Sequence, residues 1–211
     1  MNQFFAAAGR EFVSLLPAVP AVLWAISFHE FCHGWVALRC GDPTAKDAGR
    51  LTLNPMAHFD LWGALCMFLF HFGWARPVPI DPYNFRRPRR DLFLVSVAGI
   101  AGNILSAAVS GLAIRGLIRF SPATLFGNYG LQRVLIAFVI INLNFAVFNL
   151  IPVPPLDGSK LLGFILPKSA WPAFERLERY SLPVLLGLIY LGVVERIMSP
   201  AVRWGLRLIL G

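Results

Sequence analysis

The chain carries little charge for its size. Only 14% of its 211 residues are charged, whereas 57% are hydrophobic, and its apolar runs reach the length of a membrane span. An average soluble domain has about 25% charged residues, so this composition excludes an ordinary soluble domain. The sequence therefore predicts an integral, multi-pass membrane protein whose immediate partner is the lipid bilayer.

Cysteine is also scarce. The chain has three cysteines, Cys32, Cys40 and Cys66, an odd number without the paired spacing of a zinc ribbon. This excludes both a disulfide framework and a thiolate metal cluster. Small-residue packing is the role that we expect for them.

Acidic residues are few, which leaves a net charge of +8. The basic residues concentrate just before an apolar segment, at Arg76, Arg86, Arg87, Arg89 and Arg90. They are not interleaved with aromatic residues on a soluble face, so we expect no nucleic-acid partner. The excess of positive charge in cytoplasmic loops of membrane proteins explains the cluster more simply.

Four segments are apolar enough to suggest membrane spans. They run roughly over residues 13–38, 91–119, 131–151 and 181–198, and a span needs about 20 mainly apolar residues. The first segment has no basic region before it, so we expect it to remain in the mature chain rather than to act as a signal peptide. The predicted fold is an all-α polytopic membrane protein with about four transmembrane helices.

The region 39–90, between the first two predicted spans, is richer in turn residues. Within it, the alternation at 50–53 predicts a short β-strand near the membrane surface. The apolar piece 61–72 is too short to cross upright and is expected to be re-entrant or interfacial. If the basic loop 73–90 is cytoplasmic, the first span carries its polar residues towards the cytoplasm. We expect a single membrane-embedded domain over 1–211.

The first apolar segment contains the sequence His29-Glu30-Phe31-Cys32-His33. Positions four apart share one face of an α-helix, so both imidazoles can bind one Zn²⁺ while Glu30 lies beside the open coordination position. Ionisable side chains in hydrocarbon are costly unless they are paired or bound to a metal. The motif therefore predicts a zinc site at membrane depth, although two helical histidines can also serve packing alone.

Catalytic zinc generally has three protein ligands and a water, so a third ligand is expected elsewhere. Asp157 is the candidate because it follows the run from Asn149 to Leu156, in which prolines interrupt a helix. Broken backbone at membrane depth is tolerated where it is buried in protein or lines a wet cavity. The alternative is a surface turn, since aspartate before glycine is common in turns.

Four stretches together carry a family resemblance: Phe28 to Gly34, Gly41-Asp42-Pro43-Thr44-Ala45 through Leu53-Asn54-Pro55, Ala98 to Asn103, and Asn149 to Gly158. On these motifs the chain resembles the site-2 protease family of intramembrane zinc metalloproteases, peptidase family M50. The resemblance covers most of the chain and is to the compact form without PDZ or CBS domains.

The resemblance implies His29, His33 and Asp157 as the ligands of one zinc ion per chain. It also implies Glu30 as the catalytic acid/base and Asn103 as a polar active-site residue near the scissile peptide bond. One departure is visible, because the family often has proline at the position of residue 100.

The implied function is hydrolysis of peptide bonds in or near transmembrane segments, with a transmembrane protein or peptide as substrate. We expect the protein in a prokaryotic plasma membrane, with the active site nearer the cytoplasmic face. Neither the substrate's identity nor the oligomeric state follows from the sequence.

Two other functions remain open from the sequence. One is a membrane zincin of the prenyl-protein protease type, in which Glu175 or Glu178 would complete the site. The other is a non-catalytic zinc-binding membrane protein, such as a transporter or scaffold. The scarcity of histidine, with four in the chain, argues against transport. His58 is the remaining polar candidate, and we expect it to support the site indirectly or to lie at the surface.

Overall fold

A computed structural model describes residues 16–70, 73–167 and 171–211, and these residues form helices and loops without a strand. After a 3₁₀ turn at Leu16–Ala18, the α-helices are α1 (Val19–Cys40), α2 (Thr44–Asp47), α3 (Pro55–His58), α4 (Leu61–Phe70), α5 (Pro88–Phe120), α6 (Pro122–Phe126), α7 (Tyr129–Leu150), α8 (Asp157–Ile165), α9 (Trp171–Arg179), α10 (Ser181–Tyr190) and α11 (Val193–Leu210). A second 3₁₀ turn lies at Pro82–Asn84.

Helix α5 is the centre of the helix packing. It contacts α1 on one side and α7 on another, and α8 and α11 also pack against it. Small buried residues permit these close contacts, among them Ala21, Ala25, Ala37, Ala107 and Ala146. Close approach of helix backbones through small residues is typical of membrane helix packing.

Two helices, α5 with 33 residues and α7 with 22, are long and apolar enough to cross a membrane. They coincide with the predicted spans 91–119 and 131–151. The predicted span 181–198 is not one straight helix, because α10 and α11 meet at an angle of 72° and qualify only as a broken span. The described chain thus offers two or three spans where the sequence predicted four.

The first predicted span, 13–38, is represented by α1, while residues 13–15 lie outside the described part of the chain. With 22 residues α1 is long enough to cross, yet it is not among the candidate spans. Its polar residues, including Ser27, His29, Glu30 and His33, lower its hydropathy. Most of them face protein rather than lipid, since Ser27, His29 and His33 are buried.

The predicted β-strand at 50–53 is wrong, because these residues form a loop. Side chains, rather than a neighbouring strand, contact this loop: His58 Nε2 donates to the Thr52 carbonyl over 2.8 Å. The apolar piece 61–72 forms α4 over residues 61–70, a helix about 15 Å long. That is too short to span the bilayer upright, and re-entry into the membrane stays a prediction.

Asp42 joins the loop after α1 to the turn before α5. Its side chain is fully buried and accepts hydrogen bonds from the Asp81 amide (2.8 Å), from the Asn84 side chain (3.0 Å) and from both the amide and the hydroxyl of Thr44. Burial alone would raise the pKa of Asp42, but these hydrogen bonds outweigh it and hold the pKa below its ordinary value of 3.8. The junction therefore needs the ionised carboxylate.

Replacing Asp42 by Asn should lower the free energy of unfolding by about 2 kcal/mol at pH 7, because charge-assisted hydrogen bonds are lost. A lowered folded-state pKa stabilises the protein fully above pH 3.8, and this stabilisation is lost as the pH falls through the folded value. The difference in Tm should therefore shrink below about pH 4. Thermal unfolding in detergent at both pH values measures it, with Asp47→Asn at an exposed position as the control. Equal Tm values at pH 7 would contradict the assignment.

Candidate metal centre

His29 and His33 lie one turn apart on the buried face of α1. Their Nε2 atoms are 2.9 Å apart, and the ring planes are nearly perpendicular, at 89°. Both side chains are almost fully buried, at 4% and 5% exposure. Helical spacing thus brings two imidazole nitrogens to one point, as the motif predicts.

Asp157 is the first residue of α8 and reaches the same point. Its Oδ2 lies 3.0 Å from the Nε2 atom of His29 and 3.0 Å from that of His33. The other oxygen, Oδ1, faces the Lys160 ammonium at 3.4 Å. Among the described residues, these three side chains form the one group of histidine, cysteine or carboxylate ligands able to hold a metal ion.

The chain reaches this position through the proline-containing loop between α7 and α8. Ile151 and Leu156, near the two ends of the loop, are buried in one apolar cluster with Leu185 and Val194. Gly158 allows the start of α8 to pass close to the end of α7, because a Cβ at this position would lie 2.5 Å from the Ile151 carbonyl oxygen. An acidic residue in the first turn also suits the partial positive charge of a helix N-terminus.

Hydrogen bonds define the protonation of both histidines. His33 Nδ1 lies 2.7 Å from the Val95 carbonyl oxygen, which can only accept, so this nitrogen carries the proton. His29 Nδ1 lies 2.7 Å from Asn103 Oδ1. The amide nitrogen of Asn103 donates elsewhere, so its oxygen must accept from His29. In the neutral imidazoles, both Nε2 atoms therefore direct lone pairs at Asp157.

The three atoms fit a divalent metal such as zinc. Two imidazole lone pairs and a carboxylate oxygen meet within 3.0 Å, and Asp157 Oδ2 is buried without a hydrogen-bond donor. Burying such atoms together is unfavourable unless a proton or a metal cation lies among them. Ligand atoms of tetrahedral zinc lie about 3.3 Å apart for bonds of about 2.0–2.1 Å, only a few tenths of an ångström more than here.

Asn103 lies beside the ligand group as a hydrogen-bond partner of His29, and its nearness to a scissile peptide bond stays a prediction. Its side chain is fully buried, and its amide nitrogen donates to the Ala25 carbonyl (2.9 Å) and to Asn142 Oδ1 (3.0 Å). Both amide hydrogens are thus used, and Oδ1 accepts from His29. No donor is left for a scissile carbonyl, so these contacts favour orientation of His29 rather than substrate binding.

Glu30 lies on α1 next to His29 and is partly buried. Its Oε2 accepts a hydrogen bond of 2.8 Å from the Val78 backbone amide, which belongs to the irregular segment between α4 and α5. This leaves Oε1 free of hydrogen bonds within the described residues. The sequence motif predicted where Glu30 stands on the helix but gave no sign of this partner.

His58 and Glu178 are not part of the ligand group. His58 is buried, with 1% exposure, and bonds to the loop carbonyl of Thr52, so it is neither a ligand nor a surface residue. Glu178 is exposed on α9, and the side chain of Glu175 lies outside the described part of the structure. A glutamate-completed site of the prenyl-protein protease type therefore finds no support in the described residues.

Several contributing residues were missed from the sequence. Lys160 at position i+3 from Asp157 could have been recognised from helical spacing. Asn142, by contrast, follows the rule that an amide within an apolar span must find a partner, since its oxygen accepts from the Asn103 side chain. The Val95 carbonyl and the Val78 amide are backbone groups, for which the sequence gives no signal.

These observations describe a helical membrane protein with a buried, three-ligand metal-binding group. Comparisons with known proteins agree with this class. Residues 92–192 match the sequence profile of peptidase family M50. The chain is 32% identical over 195 residues to "Putative zinc metalloprotease YwhC" of Bacillus subtilis, an alignment covering 92% of this chain and 89% of that protein. The chain therefore belongs to peptidase family M50, as the resemblance to site-2 proteases implied.

Two further relatives are both named "Putative zinc metalloprotease Rip2". The one from Mycobacterium tuberculosis is 28% identical over 190 residues, and the one from Mycolicibacterium smegmatis is 28% identical over 189 residues. Each alignment covers 86% of this chain and 70% of the relative. No solved structure was found to match the chain.

Gly99 on α5 leaves room for the ligand pair, and Gly99→Ala should abolish tight metal binding. An added Cβ would lie 2.6 Å from His29 Cε1 and from His33 Nε2, so the rings must move. Zinc affinity should fall at least 10- to 100-fold, as when a ligand's orientation is lost. Metal content and chelator competition measure it, and Gly116→Ala on the same helix, where a Cβ meets open space, is the control. Unchanged affinity in Gly99→Ala would contradict the site.

Replacing Asn103 by Ala should weaken zinc binding about 10- to 100-fold, because the partner that fixes the His29 ring is removed. Asn144→Ala on α7 is a suitable control, since this half-buried amide has, within the described residues, one hydrogen bond, to the Ile140 carbonyl of its own helix. Chelator competition on the purified proteins separates the two. If Asn103→Ala keeps wild-type zinc affinity but raises KM, Asn103 binds substrate instead.

Proposed function

We propose that this protein is an intramembrane zinc metalloprotease that hydrolyses peptide bonds in or near transmembrane segments of membrane proteins. The convergence of His29, His33 and Asp157 carries the proposal, because three buried lone-pair donors meet where a divalent cation fits. Membership of a peptidase family and relatives named as zinc metalloproteases support it.

His29 Nε2, His33 Nε2 and Asp157 Oδ2 would hold the zinc ion, one per chain. Zinc in such a site supplies Lewis acidity, which lowers the pKa of bound water to about 7 and polarises the peptide carbonyl. Asn103 and the Val95 carbonyl orient the two imidazoles. Lys160 pairs with the outer oxygen of Asp157, so that Oδ2 remains available to the metal.

Glu30 is the proposed general acid/base. It accepts the proton of the attacking water and then delivers it to the amine that leaves when the C–N bond breaks. The oxygen Oε1 is the one available for this transfer, since Oε2 is already bonded to the Val78 amide. A purely structural metal site would not need a carboxylate next in sequence to one of its histidine ligands.

The proposed substrate is a transmembrane segment that unwinds locally. A regular helix uses its carbonyl groups in internal hydrogen bonds, so cleavage requires an extended stretch.

The proposed location is a prokaryotic plasma membrane, crossed several times by the chain. The bacterial relatives support a prokaryotic setting. The basic loop before α5 favours a cytoplasmic position for that end of the helix, which places the active site nearer the cytoplasmic face.

Replacing Glu30 by Gln should leave the fold and zinc content unchanged while lowering kcat about 10²- to 10⁴-fold, the usual contribution of a general acid/base. The assay uses purified protein in detergent and a synthetic transmembrane peptide, with cleavage sites mapped by mass spectrometry. Glu195→Gln, at an exposed carboxylate on α11, is the matched control. Wild-type turnover in a zinc-loaded Glu30→Gln protein would refute the role.

Metal dependence separates this function from a non-catalytic zinc protein. Chelation should abolish cleavage and added zinc should restore it, whereas a scaffold or transporter would bind zinc without any hydrolysis. Asp157→Ala should lose zinc and Glu178→Ala should retain it, which distinguishes the site from a glutamate-completed one. Preference for the transmembrane peptide over a soluble peptide of the same cleavage sequence tests the intramembrane assignment.

A further inference from the structure

Residues 76–80, which we call the strap, pass next to the Glu30 carboxylate and form neither helix nor strand. The strap reads Arg76-Pro77-Val78-Pro79-Ile80, and prolines carry no backbone N–H. Between positions 77 and 79, the Val78 amide is therefore the single hydrogen-bond donor of the backbone. That donor is directed at Glu30 Oε2, 2.8 Å away.

Side-chain burial fixes where the strap lies. Val78 has 6% exposure. It lies against α1, since a Cβ on Gly34 would be 3.3 Å from the Val78 Cγ1 atom and 3.2 Å from the Leu51 Cδ1 atom. The strap is thus seated one helical turn along α1 from Glu30.

Arg50 also holds the strap in place, through hydrogen bonds to its backbone carbonyls. Its guanidinium group is buried, with 9% exposure of the residue, and Nη2 donates to the Arg76 carbonyl at 2.8 Å and to the Pro77 carbonyl at 3.3 Å. The Arg76 amide in turn donates to the His58 carbonyl at 3.0 Å. Burying a guanidinium group is costly, so its placement on the two carbonyls immediately before Val78 calls for an explanation.

We infer that Arg50 is a positioning residue for Glu30, acting through the strap. Arg50 donates hydrogen bonds to the carbonyls of residues 76 and 77 and thereby orients the Val78 N–H. That N–H donates to one oxygen of the Glu30 carboxylate, while the other oxygen stays free for proton transfer. This inference rests on the proposed function, in which Glu30 is the acid/base. It adds two groups to that function, the Arg50 guanidinium and the Val78 amide.

The hydrogen bond from the Val78 amide restricts the conformational freedom of the Glu30 side chain. A glutamate side chain has several rotatable bonds, and a misplacement of about 1 Å can lower a rate about 10²-fold. The charge of Arg50 also interacts favourably with the Glu30 carboxylate at longer range. One backbone donor removes rotational freedom without neutralising the carboxylate, as a direct salt bridge would tend to do.

An amide-to-ester substitution tests the donor itself. Replacing Val78 by its α-hydroxy acid analogue keeps the side chain and exchanges the N–H for an ester oxygen. We expect kcat on the transmembrane peptide to fall about 10- to 100-fold, with KM within twofold of wild type and zinc content unchanged. The same exchange at Ile80, which keeps the Val78 amide, is the control and should leave kcat within twofold.

Arg50 variants test the indirect action. Arg50→Gln should lower kcat by a similar factor without changing KM or zinc content, and Arg50→Lys, which retains one charged donor, should recover part of the loss. Arg89→Gln, at an exposed arginine outside the strap, serves as the control for lost charge. Wild-type kcat in Arg50→Gln, or a raised KM with unchanged kcat, would overturn the inference.

A measurement without catalysis separates this inference from the proposed function. Because residues 77 and 79 are prolines, hydrogen exchange in a peptide fragment across the strap reports the Val78 amide with few others. Glu30→Ala and Arg50→Gln should each speed its exchange relative to wild type. Unchanged exchange in both variants overturns the inference even if the wild type cleaves peptides. Faster exchange in a protein that never cleaves supports the strap geometry and refutes the protease function.

Discussion

The structure depends on one electrostatic constraint: two imidazole lone pairs and a carboxylate oxygen lie within 3.0 Å of one another, away from water. Such a group is stable in a protein interior only with a proton or a metal cation among its members, because the surroundings cannot solvate it. The rest of the core serves this requirement. Helix α1 supplies the histidines, α5 supplies the groups that orient them, and the loop after α7 delivers the carboxylate.

The groups that orient the two imidazole rings explain why α5 packs so closely against α1. Asn103 and the Val95 carbonyl are both on α5 and bond to the outer nitrogens of the two rings. Gly99 lies between them, where any side chain would strike the imidazoles. One helix face thus provides two hydrogen-bond acceptors and, between them, a gap. Gly99 therefore contributes to the metal site as well as to the close packing of α5 against α1.

The sequence was most informative where structure is local. The spacing of His29 and His33 follows from helix geometry alone, and the proline-containing run before Asp157 marked a break that needed a reason. The spans at α5 and α7 followed from hydropathy. Long-range contacts could not be predicted in this way, because the Val78 amide meets Glu30 across 48 positions of the chain. Their formation depends on how the helices pack.

The errors have physical causes too. Alternation over four residues at 50–53 is too short to define a strand when the described residues offer no partner strand, and the His58 side chain bonds to this loop instead. The span predicted at 181–198 is interrupted near Gly192, whose φ of 69° is left-handed and incompatible with a continuous α-helix. Hydropathy, which averages over a window, does not register a single residue of this kind.

The composition of α1 has a consequence for biogenesis. Helix α1 bears two histidines, a glutamate and an arginine, and it is not among the helices that qualify as spans by length and composition. Ionisable side chains are costly in hydrocarbon, so we expect this segment to insert less readily by itself than its neighbours. Its neighbours α5 and α7 are apolar enough to insert independently and can then shield its polar face. The metal-binding group would accordingly be assembled late, after the helices that surround its polar side chains are in place.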